Sequence, residues 1–429
     1  MSESSLLFSL FFSAVLVVGL LTRFYLASRQ IHHVRQHRAK VPDAFASSVS
    51  LAAHQKAADY TVAKARFGLL EVALSAAVLL GWTLLGGIEL LNDLLSSTAM
   101  GRNSVMFSQL SLLAVFGLVN SLTTLPQTLY STFRIEEHFG FNKVTPRLWL
   151  TDLLMSTLVA AVIGLPIVAA VLWLMHSAGG LWWLWAWCVW TVFNLLVLVL
   201  YPAVIAPLFN KFKPIEDASL ALRVSALMAR CGFAAKGLFV MDGSKRSAHG
   251  NAYFTGFGAS KRVVFYDTLL QRLTAAEVDA VLAHELGHFK HKHIVKRIAG
   301  MFAMSLLGFA LLGWLSSQTW FYTGLGVRPS LTGGNEALAL LLFLLVTPLF
   351  SFFMAPLFAH ISRQHEFEAD AYAVAQTDAK DLASALLKLY QDNASTLTPD
   401  PVFVKFYYSH PPASERLARV ALFPELAAV

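Results

Sequence analysis

The residues with the clearest capacity for chemistry are His284, Glu285 and His288, set in the order His-Glu-Leu-Gly-His. On an α-helix, positions i and i+4 share a face, so both imidazoles can bind one metal ion. Glu285 stands one position along, near enough to reach a water beside that ion without ligating it. Zinc lowers the pKa of such a water to about 7, and a carboxylate there can take its proton. The plain alternative is an amphipathic helix with two incidental histidines, because so short a pattern also arises by chance. A catalytic zinc site needs a third protein ligand and an open position. The extended motif with glycine at 291 and histidine at 294 is excluded, since those positions hold His291 and Ile294. A glutamate on a second helix is the other common solution. Downstream, Glu366 and Asp370 are i,i+4 neighbours, and Glu368 lies about 200° from Glu366 around the helix. Glu366 is assigned as the third ligand and Asp370 as the acceptor that holds a ligand imidazole. By spacing alone, these acids also fit the charged surface of a helix beside a membrane. His293 falls on the face opposite His284 if the helix continues, and reads as structural or interfacial. His249 and His360 stay open. His32, His33 and His37 sit in a basic run and read as solvated or lipid-facing.

The elements that must position these groups are also visible. Thr274-Ala-Ala-Glu277 has the form of a capping box opening the His284 helix, with Val278, Val281 and Leu282 on its apolar face. Segments 237–241, 251–256 and 262–266 read as strands, and the glycine-rich 257–260 suggests a hairpin between the last two.

The surrounding chain is apolar. Of 429 residues, 56% are hydrophobic and only 14% charged, against about 25% charged in soluble domains. That composition excludes a disordered chain, a nucleic-acid-binding tail protein and an ordinary cytosolic enzyme. Seven runs are long enough to span a bilayer: 6–27, 68–91, 107–128, 149–175, 181–207, 298–316 and 336–359. The first lacks the basic N-terminal flank of a signal peptide, its positive charge following the apolar run instead. Of the 33 Lys and Arg residues, all but Arg102 and Arg328 fall on one side of the resulting topology. The positive-inside rule therefore places the N-terminus outside and the C-terminus in the cytoplasm. The net charge of +7 is thus topological rather than a sign of nucleic acid. Trp182, Trp183, Trp185 and Trp187 read as an outer aromatic belt. Cys188 and Cys231 suggest no disulfide framework. Glu71, Asn120 and Asn194 within apolar helices should face a cavity, a partner or the interface. The expected fold is mainly α: seven transmembrane helices with a small α+β portion that contains a short sheet. Five spans occupy 1–207, a cytoplasmic segment with the HExxH helix 208–297, spans six and seven 298–359, and a cytoplasmic segment completing the zinc site 360–429.

Beyond HExxH, the chain carries Pro126 through Glu136 with Phe139-Gly-Phe-Asn142, and Tyr201 through Phe212. It also carries Asn251 through Gly256, Glu366 through Asp370, and Ser409-His-Pro-Pro412 followed by Glu415-Arg416. In this set and order it resembles the CAAX prenyl protease 1 family of seven-helix membrane zinc endopeptidases, over nearly its full length. The resemblance implies one Zn²⁺ per chain on His284, His288 and Glu366, with Glu285 as general base. It implies that Asn251 and His410 line the active site and bind substrate or the oxyanion, and that Arg416 orients the acidic groups. The strand with Asn251, Ala252 and Tyr253 would offer its edge to an extended substrate. The implied partners are a peptide or protein substrate, prenylated or similar, and the lipid bilayer, with no nucleic acid. A bacterial inner membrane is the favoured location, or the endoplasmic reticulum if the source is eukaryotic. The alternatives are a quality-control protease with no prenyl substrate and a non-enzymatic membrane channel or scaffold. The sequence sets no oligomeric state.

Overall fold

The computed structural model describes residues 2–98, 104–233, 237–255, 262–331 and 333–426. Among them are seven helices long and apolar enough to cross a membrane: Glu3–His37, Leu51–Trp82, Val105–Glu136, Pro146–Ser177, Gly179–Phe209, His293–Leu315 and Glu336–Gln376. Their starts are marked by local chemistry. The hydroxyls of Ser2, Ser50, Ser104 and Thr145 accept backbone N–H groups that the first turn would otherwise leave bare. Pro146 occupies the first helical position, where its missing N–H costs nothing.

Spans two and seven differ most from the hydropathy reading. The second span begins at Leu51 and ends at Trp82, where Thr83 leaves the helical region at φ −96° and ψ −100°, and Gly86, left-handed at φ 80°, precedes the separate helix Gly87–Ser96. The seventh span carries on through a short 3₁₀ turn at Phe352–Met354 into Ala355–Gln376, so position 360 lies inside a helix. That continuation carries Glu366 and Asp370 from the membrane segment to the sheet-containing portion. Two of the sequence motifs form π-helical turns, Ser131–Glu136 and Tyr201–Ile205, beside Pro126 and Pro202.

The four-stranded sheet is small. Strands β1 (Phe212–Pro214), β2 (Gly237–Met241), β3 (Ala252–Thr255) and β4 (Arg262–Tyr266) lie in the order β1-β2-β4-β3. β1 with β2 and β4 with β3 pair antiparallel, while β2 with β4 is parallel. β3 is therefore an edge strand. The turn between β3 and β4 lies outside the described residues, and β1 is an element the sequence pattern did not mark.

Two large clusters make up most of the core of the described residues. One cluster, including Phe12, Leu172, Leu312, Phe321 and Leu342, binds the spans together. A second, with Val224, Phe265, Leu269, Leu282 and Leu386, packs the sheet against the helices around it. Leu10, Leu158, Val192 and Leu307 remain exposed on the span surfaces, as lipid-facing residues do. The tryptophans depart from the simple belt. Trp182 is buried, Trp183 packs on Gly313, and Trp187 Nε1 donates to Phe302 O and Ser305 Oγ at 3.1 Å. Only Trp185 of this group is exposed, so the cluster mainly fastens span five to span six. Arg246 fastens the sheet-containing portion to span four, through Asp152 at 2.8 Å.

The capping box on Ala275–Lys290 is complete: Thr274 Oγ1 accepts Glu277 N–H, and Glu277 accepts Thr274 N–H. The buried Glu277 carboxylate also accepts from Ser384 Oγ at 2.6 Å and Lys388 Nζ at 2.7 Å. Burial raises its pKa, but these donors outweigh burial and hold it below the usual range. A lowered folded value adds stability above the unfolded pKa of about 4.3, and that stability fades as pH falls below it. Glu277→Gln should therefore lose about 1–3 kcal/mol at pH 7. Its thermal midpoint should also fall less steeply than the parent's between pH 5 and 3.5, which thermal unfolding in detergent measures.

Candidate metal centre

The site forms where the helix Ala275–Lys290 lies against Ala355–Gln376. Gly287 stands at their contact, where an added Cβ would come 2.9 Å from Ala369 Cα and 3.1 Å from Ala369 O. Only glycine lets the backbones approach this closely. The approach brings His284 and His288 opposite Glu366. His288 Nε2 lies 3.3 Å from His284 Nε2 and 3.4 Å from Glu366 Oε1, and His284 Nε2 lies 3.5 Å from Glu366 Oε2.

These separations can be tested against an ion. Tetrahedral bonds of about 2.0–2.1 Å place ligand atoms about 3.3–3.4 Å apart, so the three residues fit a single small cation. Two further observations agree. Glu366 Oε2 is buried and makes no hydrogen bond. His284 Nδ1 lies 2.8 Å from Asp370 Oδ1, so an N–H there donates to the carboxylate and leaves the Nε2 lone pair aimed at the cluster. Burial disfavours a charged His284, yet the Asp370 and Glu366 carboxylates outweigh it and raise its pKa to about 9. The two buried acids call for positive charge at this point. His284, His288 and Glu366 can each supply one ligand atom to a metal ion.

Asp370 is fully buried and held in a two-pronged ion pair, Arg416 Nη2 donating to Oδ1 at 2.6 Å and Nε to Oδ2 at 2.8 Å. Arg416 Nη1 also lies 3.7 Å from Glu366 Oε2. Burial opposes the guanidinium charge, and Asp370 more than restores it. Glu285 faces the adjoining cavity, and desolvation lifts its carboxyl above the usual range against the pull of His284 and His288.

That cavity has a volume of about 1960 Å³ and is bounded by spans one, two, six and seven, the His284 helix and the 389–416 segment. Asn251, Ala252, Tyr253 and His410 line it together with Glu285. His410 Nε2 lies 3.5 Å from Glu366 Oε1, and its Nδ1 is 3.0 Å from Ser409 Oγ. Asn251 Oδ1 accepts Ala252 N–H at 2.8 Å, at the start of edge strand β3.

The remaining histidines separate. His249 lines the cavity with Nδ1 3.0 Å from Asn393 Oδ1, and His360 is exposed beside Gln364. His293 departs from its helical-wheel position. The helix ends at Lys290, Lys292 turns left-handed at φ 57°, and His293 opens a new helix with its ring 3.0 Å from His288 Nδ1. Its other nitrogen meets Glu368 Oε2 at 2.8 Å. A wheel drawn through 284–293 cannot show this contact, because the helix it assumes is broken. Within the apolar helices, Asn194 Nδ2 bonds Trp190 O at 2.7 Å, and Glu71 and Asn120 are partly exposed.

Two family models match the chain: residues 30–211 fit the CAAX prenyl protease N-terminal model of five membrane helices, and 214–422 fit peptidase family M48. A CAAX prenyl protease 1 homolog of Arabidopsis thaliana is 33% identical, over 94% of this chain and 95% of that one. The CAAX prenyl protease 1 of Saccharomyces cerevisiae is 35% identical, over 92% and 90%. The crystal structure of S. mikatae Ste24p superposes with a TM-score of 0.89 at 32% identity, covering 96% of this chain and 99% of that one.

Gly287→Ala tests the helix contact. It should force the two backbones apart, lower thermal stability by about 1–3 kcal/mol and reduce bound metal per chain measured by elemental analysis.

Proposed function

Since the chain belongs to the M48 peptidase family and is a membrane-integral metalloprotease, we propose that it holds one zinc ion on His284, His288 and Glu366 and cleaves near the C-terminus of CAAX-type peptides. The observation that carries this reading is the 3.3–3.5 Å approach of His284 Nε2 and His288 Nε2 to each other and to the two oxygens of the Glu366 carboxylate, of which Oε2 is buried with no hydrogen bond.

Zinc, when bound, supplies Lewis acidity toward a peptide carbonyl and lowers the pKa of water. The chain's own groups do the rest. Glu285 takes a proton from the attacking water at one carboxylate oxygen and returns it to the leaving amine nitrogen. His410 and Asn251, which share the cavity with Glu285, orient the scissile carbonyl and donate to its oxygen as charge develops. Ala252 and Tyr253 offer the outer edge of β3 to the substrate backbone, with Asn251 Oδ1 giving up the Ala252 N–H, so an extended peptide adds as another strand. Asp370 keeps the proton of His284 on Nδ1, and Arg416 keeps Asp370 ionised.

The cavity's position between spans one, two, six and seven supports a substrate with an apolar tail lying partly at membrane depth. With the N-terminus outside, the zinc site opens toward the cytoplasm, in a bacterial inner membrane or, in a eukaryote, the endoplasmic reticulum.

Glu285→Gln should abolish hydrolysis while leaving zinc bound, whereas Glu366→Ala should deplete zinc. Full activity in the first or unchanged zinc in the second would overturn the role assigned. His410→Ala should lower kcat by about 10²–10³ with zinc retained. Incubating the purified protein with a prenylated CAAX peptide and its unmodified counterpart, with and without a chelator, reads the substrate class. Chelator-sensitive cleavage of the prenylated peptide alone is expected. Equal cleavage of both would favour the quality-control reading.

A further inference from the structure

The two histidines of the motif are held differently. His284 Nδ1 meets the Asp370 carboxylate directly at 2.8 Å. His288 Nδ1 instead meets Nδ1 of His293 at 3.0 Å, and His293 Nε2 meets Glu368 Oε2 at 2.8 Å. We propose that His293 and Glu368 are positioning residues which fix the tautomer and ring orientation of His288 for metal binding. The proposal rests on the metalloprotease reading above.

Proton counting supports it. Two ring nitrogens in hydrogen-bond contact need one proton between them, and a carboxylate accepts one. With Glu368 accepting from His293 Nε2–H, a neutral His293 has a bare Nδ1. His288 must then donate from its own Nδ1, which leaves its Nε2 lone pair facing His284 Nε2 and Glu366. The alternative tautomer of His288 would aim an N–H at the place a cation should occupy. Both motif histidines thus end on a carboxylate of the same helix, one directly and one through a third imidazole.

The surroundings are built for this contact. His293 is only 4% exposed, and the His365 ring stacks on it at 4.0 Å and 12°. A continuous helix would put position 293 about 140° from His288. The left-handed Lys292, at φ 57° and ψ 30°, resets the phase and turns His293 back toward the motif. A non-glycine residue held there carries backbone strain, which persists only where the surroundings enforce it. Glu368 is half-exposed, so its effect should be smaller than that of the buried His293.

Zinc affinity is the decisive readout, measured by competition with a chromogenic chelator on the full-length protein in detergent. His293→Ala and Glu368→Ala should each weaken zinc binding by about 10–100-fold, Glu368 toward the lower end. The double variant should be no weaker than His293→Ala, because both residues act through one chain of contacts. Glu368→Gln, which still offers an oxygen to the ring N–H, should recover affinity relative to Glu368→Ala. Thermal unfolding of the metal-free variants controls for folding. Variants that bind zinc as tightly as the parent, or single losses that multiply in the double variant, would overturn the proposal alone. A parent that binds no zinc would overturn it together with the reading on which it rests.

Discussion

The backbone contact between Gly287 and Ala369 is the constraint on which the rest of the site depends. It joins two helices separated in sequence by two membrane spans. One comes from the peptidase segment and the other is the continuation of span seven. Their separation sets the distance from the two imidazoles to Glu366, and a shift of a fraction of an ångström there would change every ligand distance. Close packing also makes this arrangement stiff, because a buried interface accommodates such shifts poorly.

The same contact creates an electrostatic requirement. Glu366 and Asp370 are both buried on one helix face, and buried charge is costly unless it is paired. Arg416 answers Asp370 with two hydrogen bonds. Glu366 keeps one oxygen without a hydrogen bond, aimed at His284 and Arg416 from 3.5 and 3.7 Å. Breaking the Arg416–Asp370 pair would strand a buried carboxylate, a loss of about 3–5 kcal/mol. Burial gives these few charges their weight, since solvent screens buried charges weakly.

Parts of this arrangement are legible in the residues themselves. The spacing of His284 and His288, the capping box at Thr274 and the seven apolar runs are local patterns, written within a few turns of chain. The i,i+4 relation of Glu366 to Asp370 is likewise local. The register between the two helices is not, because it is set by what Gly287 permits in three dimensions. The contact from His293 to His288 escaped a helical wheel because Lys292 is a non-glycine residue in a left-handed conformation, for which composition holds no signal. The span ending at Trp82 and the inward packing of Trp182, Trp183 and Trp187 were hidden for a related reason. Hydropathy records which residues avoid water but not whether they meet lipid or a neighbouring helix. Asn251 and His410, distant from the motif in sequence, reach the cavity only through the fold.

The membrane helices and the peptidase portion meet in one cavity, with the proposed ligands on its wall. The central claim is that one metal ion sits between these two helices. X-ray diffraction at the zinc absorption edge tests it most directly. A single strong anomalous peak is expected about 2.0–2.2 Å from His284 Nε2, His288 Nε2 and a Glu366 oxygen. A zinc-loaded crystal with no peak there, or with its peak on other residues, would contradict it.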